Sequence, residues 1–185
     1  MAKETIKTDN SYLADKVGLR VNHLPKKKTI TVLDCFAGSG RIWRAVQRRT
    51  KKDIRVLAMG KKAIGFQLPG DNLAWLKGMD LIKFDVIDLD AYGVPYEQLK
   101  IILDRGYKGT VFVTGIQVFG FTGGGEMPRG LLREIGFTEP IYKKAPSVCN
   151  RRGWEYFCEW LAMKGVSQIH HRGHSRKHYF AFSLT

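Results

Sequence analysis

Two aspartates, Asp88 and Asp90, close an otherwise apolar stretch, FDVIDLDAYGVP at 84–95. Alternation along a strand sends both carboxylates to the same face. Acids at the end of an apolar strand are costly unless something pairs with them. A divalent metal is one such partner, but the sequence supplies no further carboxylate or histidine for it. A structural pairing with arginine or backbone N–H groups suits Asp88. A base amine suits Asp90, because Tyr92 follows it before a glycine and a proline. An acid that accepts from an exocyclic amine, beside an aromatic face, makes a nucleobase pocket. Stacking of that kind contributes ~1–3 kcal/mol per base.

A second stretch, TVLDCFAGSG at 31–40, has a different chemistry. An apolar, β-branched run stops at Asp34, and Gly38, Ser39 and Gly40 follow almost at once. Glycine lets a ligand approach the backbone and tolerates positive φ. Ile42, Trp43, Ala45 and Val46 then repeat at helical spacing, with Ser39 as the expected cap. Strand, glycine turn and helix N-terminus form a seat for a nucleotide-like ligand; a tight connection without a ligand is the alternative. Gly70, Asp71 and Asn72 enter a further helix in a similar way.

These residues need elements to position them. Strands are expected at 29–33, 54–59, 63–68, 84–89 and 110–116. Helices are expected at 11–21, from Ser39, at 71–77, after Pro95, at 131–135 and at 152–164. Segments 166–170 and 177–184 read as the arms of a hairpin turning at Arg172-Gly173. The alternation predicts an α/β fold, a mostly parallel twisted sheet with helices on both faces and a C-terminal antiparallel hairpin. Ligands in such a sheet sit beyond the carboxyl ends of the strands. Residues 1–28 read as a basic N-terminal arm and 29–185 as one domain.

Lys and Arg number 31 against 17 acids, a formal charge of +14, which favours a polyanionic partner. The excess clusters at Lys26, Lys27 and Lys28, at Arg48, Arg49, Lys51 and Lys52, and at Arg172, Arg176 and Lys177. RNA or DNA is the expected partner at those positions, and a merely solvated surface is the alternative. Cys35, Cys149 and Cys158 are widely spaced and make neither a disulfide framework nor a metal knuckle. No apolar run is long enough to cross a membrane and the first residues do not form a signal peptide, so a reducing cytoplasm is expected.

VLDCFAGSG resembles motif I of class I S-adenosylmethionine-dependent methyltransferases, in the form common among nucleic-acid-modifying members. GDNLAWL at 70–76 resembles their adenine-contacting segment. FDVIDLDAYGVP looks like their motif IV, closest to the DLDPFGSP of tRNA guanine dimethyltransferases. The resemblance covers residues 29–116 well, and the rest by topology. It implies a Rossmann-like fold, S-adenosyl-L-methionine as cofactor and methyl transfer to a base nitrogen of RNA or DNA. Asp34 would orient the methionine amine. Phe36, Ala37, Gly38, Ser39 and Gly40 would wrap methionine and sugar, and Asp71 and Asn72 would meet adenine. Asp90 and the carbonyl of Ala91 would hold the target amine, with Tyr92 stacked on the base. This sequence departs from the family at Gly60, where an acid usually holds the ribose, and at Ala91, where proline is common. A methyltransferase-like nucleic-acid-binding module that has lost turnover is therefore the second reading. A small-molecule or protein methyltransferase is a third.

His170, His171, His174 and His178 crowd the hairpin. Zinc would need them to converge; beside Arg172, Arg176 and Lys177 they read as a solvent- or nucleic-acid-facing loop. The glycines at 123–125 suit either a flap over the site or a plain loop. Trp154, Tyr156 and Phe157 read as core.

Overall fold

The computed structural model describes residues 12–60, 68–116, 127–174 and 177–185. Seven strands form one sheet in the order β3-β2-β1-β4-β5-β7-β6. They are β1 (Thr29–Asp34), β2 (Asp53–Gly60), β3 (Leu68–Pro69), β4 (Val86–Asp90), β5 (Gly109–Ile116), β6 (His170–His174) and β7 (Lys177–Leu184). β1 to β5 run parallel, while β7 runs antiparallel to both β5 and β6. Strand order reverses between β1 and β4, which is where an open α/β sheet leaves a crevice at its carboxyl edge.

Helices cover both faces. α1 (Leu13–Asn22) and α2 (Arg41–Arg49) lie on one side. There Val17, Leu19, Trp43 and Val46 pack against Ile30, Val32, Val86, Phe112, Tyr179 and Ala181. On the other side are α3 (Asn72–Gly78), α4 (Tyr96–Asp104), α5 (Arg129–Glu134), α6 (Glu139–Lys144), α7 (Pro146–Arg151) and α8 (Gly153–Met163). Leu76, Leu99, Ile102, Leu131, Trp160 and Leu161 meet Leu33, Ile87, Leu89, Val111, Val113, Phe180 and Phe182 there. Both faces of β1 and β4 are thus dry, which is why their sequences are nearly continuous apolar runs. Each fully buried large side chain stabilises by ~1.5–3 kcal/mol.

Several local expectations are corrected. Gly40, not Ser39, caps α2; its φ of 67° is left-handed, and no side chain caps that helix. Phe84 and Asp85 precede β4 rather than belonging to it, because a 3-10 turn, Leu81–Lys83, occupies the approach. Arg172 and Gly173 lie inside β6, paired with Tyr179 and His178, so the arm begins at His170 rather than at Val166. Val166 is buried against the α4, α5 and α8 core instead. α6 and α7 were not expected. Most of the segment expected as a strand at 63–68, the glycines at 123–125 and Arg176 lie outside the described residues. Among the described residues no helix is long and apolar enough to cross a membrane.

Candidate functional site

The carboxyl ends of β1, β2 and β4 place Asp34, Gly60 and Asp90 along one edge. Asp34 is the register partner of both Ala58 and Asp88, so the two acidic strand ends are immediate neighbours. The turn after β1 is tied across both adjacent strands. Cys35 N–H donates to the Asp88 carbonyl at 3.0 Å, and Ala37 N–H to the Met59 carbonyl at 3.1 Å. Gly38 and Gly40 then adopt φ of 50° and 67°. A Cβ at Gly40 would meet only Arg44 Nη1 at 3.5 Å, so the backbone conformation, rather than crowding, calls for glycine there. The turn delivers the N-terminus of α2 to the edge.

Asp34 is buried, and its Oδ1 accepts from Phe36 N–H at 3.2 Å. Burial first, and then the carboxylates of Asp88 and Asp90, push the Asp34 carboxyl well above the usual range. Phe36 and Gly38 are half-buried, Ala37 is buried and Ser39 is exposed.

Asp88 has a structural pairing. Arg20 donates to it twice, from Nε at 2.7 Å and Nη2 at 2.6 Å, and Trp43 Nε1 donates at 2.7 Å. With both oxygens engaged by a buried guanidinium, Asp88 serves the fold. Burial pulls the Arg20 guanidinium down, but the ion pair with Asp88 more than offsets it, leaving Arg20 more firmly charged than usual.

Asp90 is engaged by Lys16, whose Nζ lies 2.8 and 3.1 Å from its two oxygens. The Lys16 ammonium also sits 5.5 Å from the centre of the Tyr179 ring. Helix α1 thus sends two cations, four residues apart, onto two carboxylates that are two residues apart on β4. This i,i+4 spacing against D-x-D was the one trace of the arrangement in the sequence. Ala91 follows Asp90, buried, with its N–H donating to the Leu89 carbonyl at 2.8 Å. Tyr92 projects outward, 81% exposed. A positive φ at Gly93 then turns the chain into α4.

At the neighbouring loop, Asp71 caps α3 by accepting Leu73 N–H at 3.0 Å and remains exposed. Asn72 is a correction. Its amide donates to the Cys35 carbonyl at 3.1 Å and accepts from Gln98 Nε2 at 3.0 Å. It ties the glycine turn to α4 instead of presenting its side chain outward. Gly60, the register partner of Pro69, ends β2 with no side chain to offer.

The basic clusters separate. Lys26, Lys28, Arg48, Arg49 and Lys51 are exposed but stand at the amino ends of β1 and β2 or at the end of α2, opposite the acidic edge. A six-residue strand such as β1 sets these ends ~20 Å apart. Lys27 pairs with Asp85, and Lys52 is turned inward, donating to the Pro25 and Lys27 carbonyls at 2.9 and 2.7 Å. Lys52 is thus a correction to the expected phosphate contacts, since its ammonium is spent on holding the loop. Arg172 and Lys177 lie at the same edge as Asp90, Arg172 pairing with Asp15 at 3.2 Å and Lys177 lying over the Tyr12 ring.

The histidines disperse. His171 and His178 bond to each other at 2.8 Å and both stack on Trp154. His170 stacks on His23, and His174 pairs with Asp15. Among the described residues no group of three or more His, Cys, Asp or Glu side chains is placed to hold a metal.

No protein-family model matches the chain, and no curated protein matches its sequence. Its fold is similar to that of Trm1 from Pyrococcus horikoshii, a structure in complex with S-adenosyl-L-methionine, with a TM-score of 0.64 and 15% identity over 100% of this chain and 58% of that one. It is also similar to ribosomal protein L11 methylase from Lactobacillus delbrueckii subsp. bulgaricus, with a TM-score of 0.56 and 16% identity over 99% and 83% of the two chains. This chain spans little more than half the length of the Trm1 chain. The likeness establishes the fold as the Rossmann-like sheet of class I methyltransferases.

Proposed function

We propose that this chain is an S-adenosyl-L-methionine-dependent methyltransferase acting on a base nitrogen of RNA or DNA in a reducing, cytoplasmic setting. One observation carries the reading: the glycine turn at Gly38–Gly40 and the acid–aromatic pair Asp90–Tyr92 converge on one sheet edge. The residues fit the cofactor except at Gly60. Phe36, Ala37, Gly38, Ser39 and Gly40 would wrap methionine and sugar, Asp34 would take the methionine amine, and Asp71 would accept from adenine. Asn72 supports this seat from behind. When bound, the cofactor supplies an activated methyl group on sulfur.

The chain's own residues then have a positioning task. Asp90 accepts from the target amine and aims its lone pair, and alignment of this kind is worth up to ~7–11 kcal/mol of barrier. An ionised carboxylate has about four lone-pair sites, so Asp90 can keep Lys16 and still take an amine. Lys16 holds the carboxylate in place. Tyr92 would stack the base, and its extension into solvent supports that role. Arg172 and Lys177 lie at this edge and would meet the flanking phosphates. Similarity to Trm1, solved in complex with S-adenosyl-L-methionine, supports the cofactor, and that to L11 methylase keeps a ribosomal protein in view; the nucleic-acid substrate is supported by the net charge of +14.

Gly60 favours a second reading, a nucleic-acid-binding module without turnover. Incubation with methyl-labelled cofactor and total RNA or genomic DNA, followed by nucleoside analysis, separates the two. A labelled base amine is expected. Polynucleotide binding with no methylated nucleoside from either pool would establish the module instead.

A further inference from the structure

Thr114 is 2% exposed, and its Oγ1 has no hydrogen-bond partner among the described residues. Buried hydroxyls are nearly always paired. Thr110, on the same strand and face, shows the ordinary case: its hydroxyl lies 3.3 Å from Ser183 Oγ. A strand interior that needed only bulk at position 114 would be filled as well by valine, which has the same shape and no orphan hydroxyl.

The position of Thr114 gives its hydroxyl a use. It is the register partner of Asp90 on β4 and of Tyr179 on β7. Cross-strand neighbours share a face, so Thr114 stands beside Asp90, one strand spacing away, ~4.8 Å. Lys16 touches the residues on either side of it, bonding to Asp90 and overlying the Tyr179 ring. The Lys16 ammonium, held between these two neighbours, thus lies on the face where Thr114 is buried. A shift of that ammonium about its bond to Asp90 would open a floor made of a carboxylate, a hydroxyl and an aromatic face.

We propose that Thr114 is a specificity-determining contact of this site, donating from Oγ1 to the ring nitrogen beside the target amine. This rests on the methyltransferase reading above and goes beyond it by naming the edge that is recognised. An ionised carboxylate only accepts, and a hydroxyl can donate. Side by side they match an N=C–NH2 edge, where an exocyclic amine donates and the adjacent ring nitrogen accepts. Adenine and cytosine present that edge, and guanine presents it through N3 and its 2-amine. Uracil and thymine, with carbonyls flanking an N–H, do not.

The test uses the full chain with methyl-13C-labelled threonine, saturated with S-adenosylhomocysteine so that the adenine seat is filled. Cytidine, adenosine and uridine monophosphates are the probes. The Thr114 methyl resonance should move with the first two and stay still with the third. Thr114→Val should raise the thermal midpoint, because it removes a buried orphan, yet weaken cytidine monophosphate binding about tenfold. Thr114→Ser should restore binding. Equal shifts with uridine monophosphate, no shift with any nucleotide, or a stability change in Thr114→Val with binding untouched would each overturn the assignment. Calorimetry with S-adenosylhomocysteine distinguishes the failures: heat without the Thr114 response sinks this inference alone, and absence of heat removes the underlying reading and this one with it.

Discussion

Arg20 grips Asp88 through two parallel hydrogen bonds, 2.7 and 2.6 Å long, with each side chain only 1% exposed. Breaking such a pair leaves a buried charge without its counter-charge. Asp88→Leu should therefore cost about 3–5 kcal/mol of stability in chemical denaturation. The double variant Arg20→Met with Asp88→Leu should cost far less than the sum of the single changes, since no charge is stranded.

Asp34 gives a pH signature. Its carboxyl is raised by burial and by Asp88 and Asp90, so the folded protein keeps a proton that the unfolded chain releases near pH ~3.9. Stability therefore falls as pH rises from that value through the folded pKa, and then stays at the lower level. Asp34→Asn keeps the acceptor for Phe36 N–H and removes the penalty. The variant should melt higher than wild type at neutral pH, with the difference vanishing below about pH 4. On the proposed function it should also bind S-adenosylmethionine more weakly.

His178 works in the opposite direction. Burial, and then His171, depress its imidazole to about 4. The unfolded chain protonates near ~6.5, so this contribution is fully present above that pH and is lost as pH falls toward 4. His178→Phe preserves a ring against Trp154 and should flatten this part of the stability profile. Denaturant midpoints at neutral and mildly acidic pH measure it; an unchanged slope in the variant would contradict the assignment.

Cofactor affinity tests the glycines. Gly38→Val forces a β-branched residue to φ 50° and should abolish binding of S-adenosylmethionine in calorimetry. Gly60→Asp supplies a carboxylate at the end of β2 and should tighten binding about tenfold.

The separation of the basic clusters predicts two different phenotypes. Arg172→Gln with Lys177→Gln should lower methylation of short and long substrates alike. Replacing Arg48, Arg49 and Lys51 by glutamine should matter only for polynucleotides long enough to reach the opposite edge. Each lost phosphate contact should flatten the log–log salt dependence by roughly 0.7–0.9.

Much of this was legible in the sequence, where the signal was local. β1, β4 and β5 are β-branched apolar runs, and Leu99 and Ile102 or Phe157 and Leu161 recur at helical spacing, so the parallel sheet and its main helices followed. So did the glycine turn. The illegible parts depend on distant partners. Lys16 and Arg20 look like solvent charges until Asp90 and Asp88, 74 and 68 residues away, are brought to them. Asn72 was expected beside adenine, and its bonds to Cys35 and Gln98 were illegible because both partners lie on other elements. α6 and α7 are six residues each, too short for a periodic signal. Thr114 carried no signal, because an orphaned hydroxyl is visible only when its surroundings are known.

The attachment of α1 also sets an order of events in folding. Its Asp15 is held by Arg172, 157 residues further along the chain, and by His174; its flanking Tyr12 and His23 stack on His174 and His170. The helix is thus synthesised before any strand of the sheet, and its berth on α2 and β4 is completed only once the β6–β7 hairpin has paired with β5. Closing so long a loop is entropically slow, and contacts of this span lower folding rates. Until then the apolar cluster around Val17 and Leu19 lacks Tyr179 and Ala181, and that gap on a nascent chain is a surface open to chaperone capture or misassociation. The two ends of the segment that completes the acidic edge are therefore fixed late, after its middle has met β4.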